Sequence, residues 1–118
     1  MGPSKFCARV VRPIAASQLN SVIAASHGSH ETVFVKFASA FCDACKQSRI
    51  AIDMALKRTQ KCVNIVELDS DIADATADGF HVKALPTVIA IKDGKVVGKV
   101  EAALEAAGYQ KFFEKHTG

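Results

Sequence analysis

The residues best suited to chemistry are Cys42 and Cys45, which are separated by two residues in the stretch FCDACK at 41–46. Two cysteines at this spacing can form a dithiol catalyst, half of a metal site, or two buried small hydrophobic residues. The chain contains four cysteines and shows no secretory hydrophobic segment. We therefore expect a reducing intracellular compartment, either the cytoplasm or the mitochondrion, where such a pair is usually catalytic or metal-binding.

The composition is typical of one globular domain. Of the 118 residues, 49% are hydrophobic and 23% are charged, which suits a single core. No apolar run approaches the roughly 20 residues that span a bilayer, and no basic run with interleaved aromatic residues favours nucleic-acid binding. We expect a soluble monomer with one domain over 1–118, in which residues 1–5 lie outside the fold as a disordered segment or a remnant of processing or cloning.

Secondary-structure patterns place the cysteine pair between a strand and a helix. The stretch TVFVKFAS (32–39) is almost continuously hydrophobic, which indicates a central strand covered on both faces. Asp93-Gly94 predicts the turn of a hairpin over 87–100. The order β-α-β-α-β-α-β-β-α predicts an α/β fold with a mixed sheet and helices on both faces. The other predicted elements are strands over 6–11 and 63–69 and helices over 17–28 (with Ser17 as N-cap), 45–60, 71–79 and 102–116.

Four stretches of this pattern resemble the thioredoxin family: FVKFASAFCDACK (34–46), VELDSD (66–71), ALPT (84–87) and KDGKVVGKV (92–100). Together with the element order, they extend the resemblance over nearly the whole chain. The resemblance implies a thioredoxin fold, with a mixed five-stranded central sheet flanked by four helices. It also implies a protein-disulfide reductase that needs no prosthetic group.

The resemblance assigns roles to three residues. Cys42 is the nucleophile, because unpaired N–H groups and the helix dipole favour a thiolate at the N-terminus of a helix. Cys45 resolves the mixed disulfide, and a cis bond between Leu85 and Pro86 presents backbone to the substrate chain. The implied partners are disulfide-containing proteins as substrates and a reductase or a low-molecular-weight dithiol as electron donor.

The pair itself departs from the W-C-G-P-C that typical thioredoxins carry. Asp43 places a negative charge beside Cys42, which is expected to disfavour the thiolate and lower the reduction potential, unless it serves only as a favourable charge in the first helical turn. Ala44 replaces a proline. Thioredoxin-like proteins that lose this proline can bind an iron–sulfur cluster, which here would take Cys42 and Cys45 from each of two chains, or this pair together with two further ligands.

Two charges look exchanged relative to the family. Lys36 falls where thioredoxins usually carry a buried aspartate, and Glu67 falls where many carry a lysine. A buried Lys36–Glu67 pair would restore neutrality, and Lys36 would then stabilise the thiolate of Cys45 instead of relaying its proton. Alternatively, Lys36 extends to the surface with its ammonium group hydrated. Either arrangement removes the usual proton acceptor, so slow turnover is expected.

Further departures concern the surroundings of the pair. The family commonly has aromatic residues at the positions of Ala38 and Phe41, so Ala38 should leave the floor of the site less filled. Glu101 falls near the substrate groove, where its charge and bulk would reject acidic partners. Cys7 and Cys62 are expected as buried free cysteines, or else as a second disulfide or a regulatory oxidation site. Four histidines show no metal-ligand spacing and are interpreted as surface or loop residues: His27, His30, His81 and His116.

Three functional hypotheses follow. The first is a thiol–disulfide oxidoreductase of narrow specificity that exchanges disulfides through Cys42 and Cys45. The second is a thioredoxin-fold binding or chaperone-like protein that has lost efficient turnover, because the buried aspartate, the proline and the flanking tryptophan are all replaced. The third is a dimeric iron–sulfur protein, the one case in which Cys42 and Cys45 would bind metal.

Overall fold

A computed structural model of the protein describes residues 10–69 and 79–117. It contains one five-stranded sheet with the strand order β1-β3-β2-β4-β5. The first three of these strands run parallel, whereas β4 is antiparallel to both β2 and β5. The predicted mixed five-stranded sheet is therefore confirmed. The strands are β1 (Arg12–Pro13), β2 (Val33–Ala38), β3 (Asn64–Asp69), β4 (Thr87–Lys92) and β5 (Lys95–Val100).

Three α-helices lie within the described residues: α1 (Leu19–Ser29), α2 (Asp43–Arg58) and α3 (Ala106–His116). The fourth predicted helix, over 71–79, lies almost entirely outside the described residues. None of these three helices is long and apolar enough to span a bilayer. Three predicted starts were wrong: α2 begins two residues before 45, α3 begins later than 102, and a 3₁₀ turn over Ala16–Gln18 precedes α1, so Ser17 is not its N-cap.

Strand β2 lies at the centre of the sheet, and all six of its residues are buried. Because side chains alternate between the two faces of a strand, β2 contributes to two separate cores. Val35 and Phe37 pack on the side of α1, while Phe34 packs with residues of α2 and α3. The same alternation puts Lys36 and Ala38 on the face covered by α2. This places a buried charged residue directly beneath the helix that carries the cysteine pair.

The first strand differs from the prediction. Residues 10 and 11 are not in a strand, residues 6–9 lie outside the described part, and β1 consists of Arg12 and Pro13 opposite Val66 and Glu67 of β3. Proline lacks an N–H and is tolerated in a sheet only at an edge or a strand start. The apolar pattern of 6–11 was therefore a poor guide to this short edge strand.

The hairpin was predicted correctly, and its turn explains why. Asp93 and Gly94 both have positive φ angles, 53° and 77°, which is the backbone that two-residue hairpin turns require. Nδ1 of His30 lies 3.0 Å from Oδ1 of Asp93, so the turn is tied to the end of α1.

His116, which was predicted as a surface or loop residue, is partly buried at the end of α3. This burial lowers its pKa, and the nearby charge of Lys115 acts in the same direction.

Cys62 is disulfide-bonded, so the preferred expectation of a free thiol at this position was wrong. Because β1 and β3 are parallel neighbours, the segments leading into them start from the same edge of the sheet, and Cys62 belongs to the segment leading into β3. The expectation for Cys7 lies outside the described residues. Cys42 and Cys45 are both free thiols in this structure.

Candidate active site

Cys42 is the N-cap of α2 and is partly exposed. Its sulfur accepts a hydrogen bond from the backbone N–H of Cys45 at 3.1 Å. The first N–H groups of a helix have no partner within the helix, so a sulfur at this position satisfies one of them. A thiolate here would also interact favourably with the positive end of the helix dipole. Cys42 therefore lies at the N-terminus of a helix, as the sequence predicted.

The loop before β4 faces the same sulfur. The Leu85–Pro86 peptide bond is cis, the isomer that the resemblance implies. The carbonyl oxygen of Leu85 lies 3.8 Å from Sγ of Cys42, and Pro86 is buried. The fold thus brings the proline and the cysteine, which are far apart in sequence, to one side of the site.

Cys45 lies one turn into α2, and only 4% of its surface is exposed. Burial raises the pKa of its thiol to about 11, and a hydrogen bond between the two cysteine side chains adds to that rise. A backbone contact with Ser39 and the positive charge of Lys36 lower the pKa, and Lys36 is the smallest of these influences. Lys36 therefore acts on the Cys45 thiolate in the expected direction, but burial dominates.

Lys36 and Glu67 form an ion pair, with Nζ of Lys36 3.2 Å from Oε1 of Glu67. The parallel register of β2 and β3 places the two residues directly opposite each other. Lys36 is 1% exposed and Glu67 is 32% exposed, so the alternative in which the ammonium group of Lys36 reaches bulk water does not occur. The pair is asymmetric: the cation is fully buried, whereas the carboxylate keeps contact with solvent.

A cavity of about 360 Å³ lies between α2 and the ends of β2 and β3. Ala38 lines it, in agreement with the expectation that a small residue here leaves the floor of the site unfilled. Arg49 and Asp69 also line it, and neither was among the predicted site residues. Their positions could have been inferred, because Arg49 follows Cys45 by four residues on a helix and Asp69 follows Glu67 by two on a strand. The full lining is Lys36, Ala38, Ser39, Ala40, Cys45, Lys46, Arg49, Glu67 and Asp69.

Two residues beside the cysteine pair are strongly exposed. Asp43 is 97% exposed, and its Oδ1 lies 3.8 Å from Nζ of Lys46. Water and the neighbouring ammonium group both weaken the field of its carboxylate at Cys42. Phe41 is 92% exposed. An aromatic ring exposed next to a nucleophile is available for contact with another protein.

Glu101 directly follows β5, at the end of the hairpin where β4 begins. Val100 pairs with Val88 in the hairpin, so the next residue of β5's chain, Glu101, lies across from Thr87 and close to Pro86. Oε1 of Glu101 is 2.9 Å from Nζ of Lys99, and the same ammonium group donates to the carbonyl of His81. The carboxylate of Glu101 is therefore paired with Lys99 and is not an isolated negative charge.

Comparison with known proteins identifies the family. The thioredoxin family model matches residues 10–115. The chain belongs to the thioredoxin family. Its relatives include thioredoxin Y2, chloroplastic, of Arabidopsis thaliana, which is 26% identical over 87% of this chain and 62% of its own length, and a Chlamydia muridarum thioredoxin, which is 32% identical over 71% and 81%. The crystal structure of thioredoxin NaTrxh from Nicotiana alata has a TM-score of 0.78 and 29% identity, and the match covers 99% of this chain and all of that one.

Family membership supports thiol–disulfide exchange at the level of the family. The match spans less than two thirds of thioredoxin Y2.

Within residues 10–69 and 79–117, no group of three or more His, Cys, Asp and Glu side chains forms a metal site. Cys42 and Cys45 would thus supply two thiolates to any cluster shared between chains.

Proposed function

We propose that this thioredoxin-family protein is a thiol–disulfide oxidoreductase of narrow specificity. The observation that carries the proposal is the position of Cys42: a partly exposed sulfur at the N-terminus of α2, hydrogen-bonded by the N–H of Cys45 and 3.8 Å from the Leu85 carbonyl beside the cis proline. Its substrates are proteins with an accessible disulfide. Its electron donor is a reductase or a low-molecular-weight dithiol, and it requires no prosthetic group.

The reaction proceeds in two exchanges. The Cys42 thiolate attacks one sulfur of the substrate disulfide, so a mixed disulfide forms and the other substrate sulfur leaves as a thiolate. Cys45 then loses its proton and attacks the sulfur of Cys42, which releases the second substrate thiolate and leaves a Cys42–Cys45 disulfide. Pro86 positions the substrate backbone next to Cys42, since the fold holds Leu85 and Pro86 beside that sulfur.

Narrow specificity is supported by the surface around Cys42. Phe41 offers one large apolar contact and is 92% exposed. The Lys99–Glu101 pair adds a second, polar contact at the end of the hairpin where β5 ends. A substrate that fits must place an apolar surface on Phe41 and tolerate the carboxylate of Glu101. We expect disulfides in strongly acidic segments to react only slightly more slowly than those in neutral segments, because Lys99 pairs with Glu101.

The Lys36–Glu67 ion pair adjusts the pKa of the Cys45 thiol. The ammonium group of Lys36 has no lone pair and cannot accept the proton of Cys45, whereas its charge lowers the pKa of that thiol. Glu67 holds the buried charge in place. Asp43 tunes Cys42 only weakly, because it is almost fully exposed and close to Lys46.

The test is dithiothreitol-driven reduction of insulin disulfides by protein purified without oxygen. The wild type should be active and Cys42→Ser should be inactive. Reduced Cys45→Ser, freed of dithiothreitol before it is mixed with insulin, should accumulate a mixed disulfide. A wild-type protein that is folded but no faster than buffer would refute the proposal and favour a binding role. Visible absorbance that is lost in Cys42→Ser would instead favour an iron–sulfur cluster.

A further inference from the structure

The two cysteines of the pair border different sides of the site. Cys45 lines the cavity beneath α2, whereas Cys42 is not part of its lining. Cys42 instead faces the carbonyl oxygen of Leu85, on the side of the cis proline. A protein substrate reaches Cys42 from that side. The cavity offers a second route, and it leads to the other cysteine.

The chemistry of exchange favours attack through this second route once the pair is oxidised. An incoming thiolate attacks one sulfur of a disulfide and expels the other, and the exchange is faster when the expelled thiolate is the better stabilised of the two. Attack on Cys45 expels Cys42, whose sulfur already accepts the N–H of Cys45 at the end of a helix. Attack on Cys42 would expel Cys45, a buried sulfur whose thiolate burial disfavours.

The walls of the cavity indicate what kind of thiol enters it. Three positively charged residues line the cavity: Lys46 and Arg49 on α2, and Lys36 on the sheet. Two negatively charged residues of β3, Glu67 and Asp69, also line it. Lys36 is paired with Glu67. In the part of the chain that the structure describes, Arg49 has no ion-pair partner. A guanidinium group without a partner is suited to bind a carboxylate with two hydrogen bonds.

The size and place of the cavity fit a small molecule. Its volume is about 360 Å³, near the lower end of the roughly 300–1,000 Å³ of small-molecule sites. It lies at the carboxyl ends of β2 and β3, where α/β sheets commonly bind ligands. It is open because Ala38 stands where the family commonly has an aromatic side chain.

We propose that a low-molecular-weight thiol bearing a carboxylate binds in this cavity, held by Arg49, and reduces the oxidised protein by attacking the sulfur of Cys45. The first thiolate forms a mixed disulfide with Cys45 and expels Cys42 as a thiolate, which takes up a proton. A second thiol molecule attacks the small-molecule sulfur of that mixed disulfide. Cys45 returns to the thiol, and the small thiol leaves as its own disulfide. This inference rests on the proposed function, which supplies the oxidised pair.

The experiment uses oxidised full-length protein with 3-mercaptopropionate, and with 2-mercaptoethanol as a thiol without a carboxylate. Samples are quenched in acid at several times, alkylated and analysed by peptide mass spectrometry, since the chain has no tryptophan to report the reaction. Extrapolated to zero time, the adduct should lie on Cys45. Arg49→Ala should slow 3-mercaptopropionate about two- to fivefold, the range of an exposed ion pair, and leave 2-mercaptoethanol unchanged. Lys57→Ala, on the same helix but outside the cavity lining, should slow neither.

A second variant tests the route itself. Ala38→Trp fills the cavity and should move the first adduct from Cys45 to Cys42. A first adduct on Cys42 in the wild type, or equal effects of Arg49→Ala on both thiols, would overturn the inference. Insulin reduction by dithiothreitol is measured in parallel. A failure there refutes the proposed function, whereas normal insulin reduction with the adduct on Cys42 refutes only the cavity route.

Discussion

The Lys36–Glu67 pair should be energetically asymmetric, and the asymmetry follows from burial. Removing one partner of a buried ion pair costs about 3–5 kcal/mol when the remaining charge is stranded. Glu67→Met strands the ammonium group of Lys36, which is 1% exposed, so the full cost of about 3–5 kcal/mol is expected. Lys36→Met leaves Glu67, which is 32% exposed and can recover hydration, so we expect a loss of only about 1–2 kcal/mol.

The double variant completes the cycle. With methionine at both positions no charge remains, and buried ion pairs replaced by apolar residues are often neutral in stability. The double variant should therefore be more stable than Glu67→Met alone. The coupling free energy between positions 36 and 67 should reach about 2 kcal/mol or more, well above the error of such cycles.

The measurement is urea unfolding followed by circular dichroism at pH 7, with all variants in the same redox buffer. Equal slopes are required before midpoints are converted to free energies. The exposed Asp43–Lys46 pair, 3.8 Å apart, serves as a control and should show a coupling below about 0.5 kcal/mol. The reasoning is refuted if Lys36→Met is as destabilising as Glu67→Met, or if the two changes are additive.

Three further predictions address single residues. The pKa of Cys45 is raised from 9.0 to about 11 in the folded protein. Above pH 9 the thiol therefore loses its proton in the unfolded chain but keeps it in the folded chain, which favours unfolding. The reduced wild type should therefore lose stability relative to Cys45→Ala between about pH 9 and 11, by up to about 2 kcal/mol; parallel pH profiles would contradict this. Asp43→Asn should raise the alkylation rate of Cys42 by at most about fivefold at low salt and not at 0.5 M salt, as measured with iodoacetamide. Gly98→Ala should lower the melting temperature by several degrees, because its Cβ would lie 2.5 Å from Nε2 of His116; an unchanged melting temperature would show that His116 moves freely.

Local patterns predicted the parts of the fold that local physics decides. The continuous apolar run of β2 indicated a central strand, and Asp93-Gly94 indicated the hairpin turn. Both succeed because burial on two faces and a left-handed turn restrict the residue types strongly. The start of α3 and the position of β1 failed for the opposite reason. Pairing with β3 decides where β1 lies, and no short pattern around Arg12 and Pro13 encodes that pairing.

The candidate site was predictable where one residue determines the chemistry. Cys42, Cys45 and Pro86 could be named from the motif, and the exchanged charges of Lys36 and Glu67 could be paired because they fall on neighbouring parallel strands. The cavity could be expected only as missing volume at position 38. Its charges come from two elements that meet in the folded chain, so the participation of a helix residue such as Arg49 required the packing itself.

The burial of Cys45 limits the speed at which the mixed disulfide is resolved. A pKa near 11 instead of 9.0 leaves about a hundredfold less thiolate at neutral pH. A more basic thiolate is also a better nucleophile, and a Brønsted coefficient of about 0.4–0.5 restores close to tenfold of that loss. Resolution of the mixed disulfide should therefore be at most about tenfold slower than for an unperturbed thiol, because the contributions of the Cys42 side chain to the raised pKa of Cys45 are lost once Cys42 is bound to the substrate. Since burial, the largest cause of the raised pKa, does not depend on the state of Cys42, it persists in the mixed disulfide. A long-lived mixed disulfide favours substrates that bind the surface around Phe41 well enough to stay, which links slow resolution to the narrow specificity that we propose.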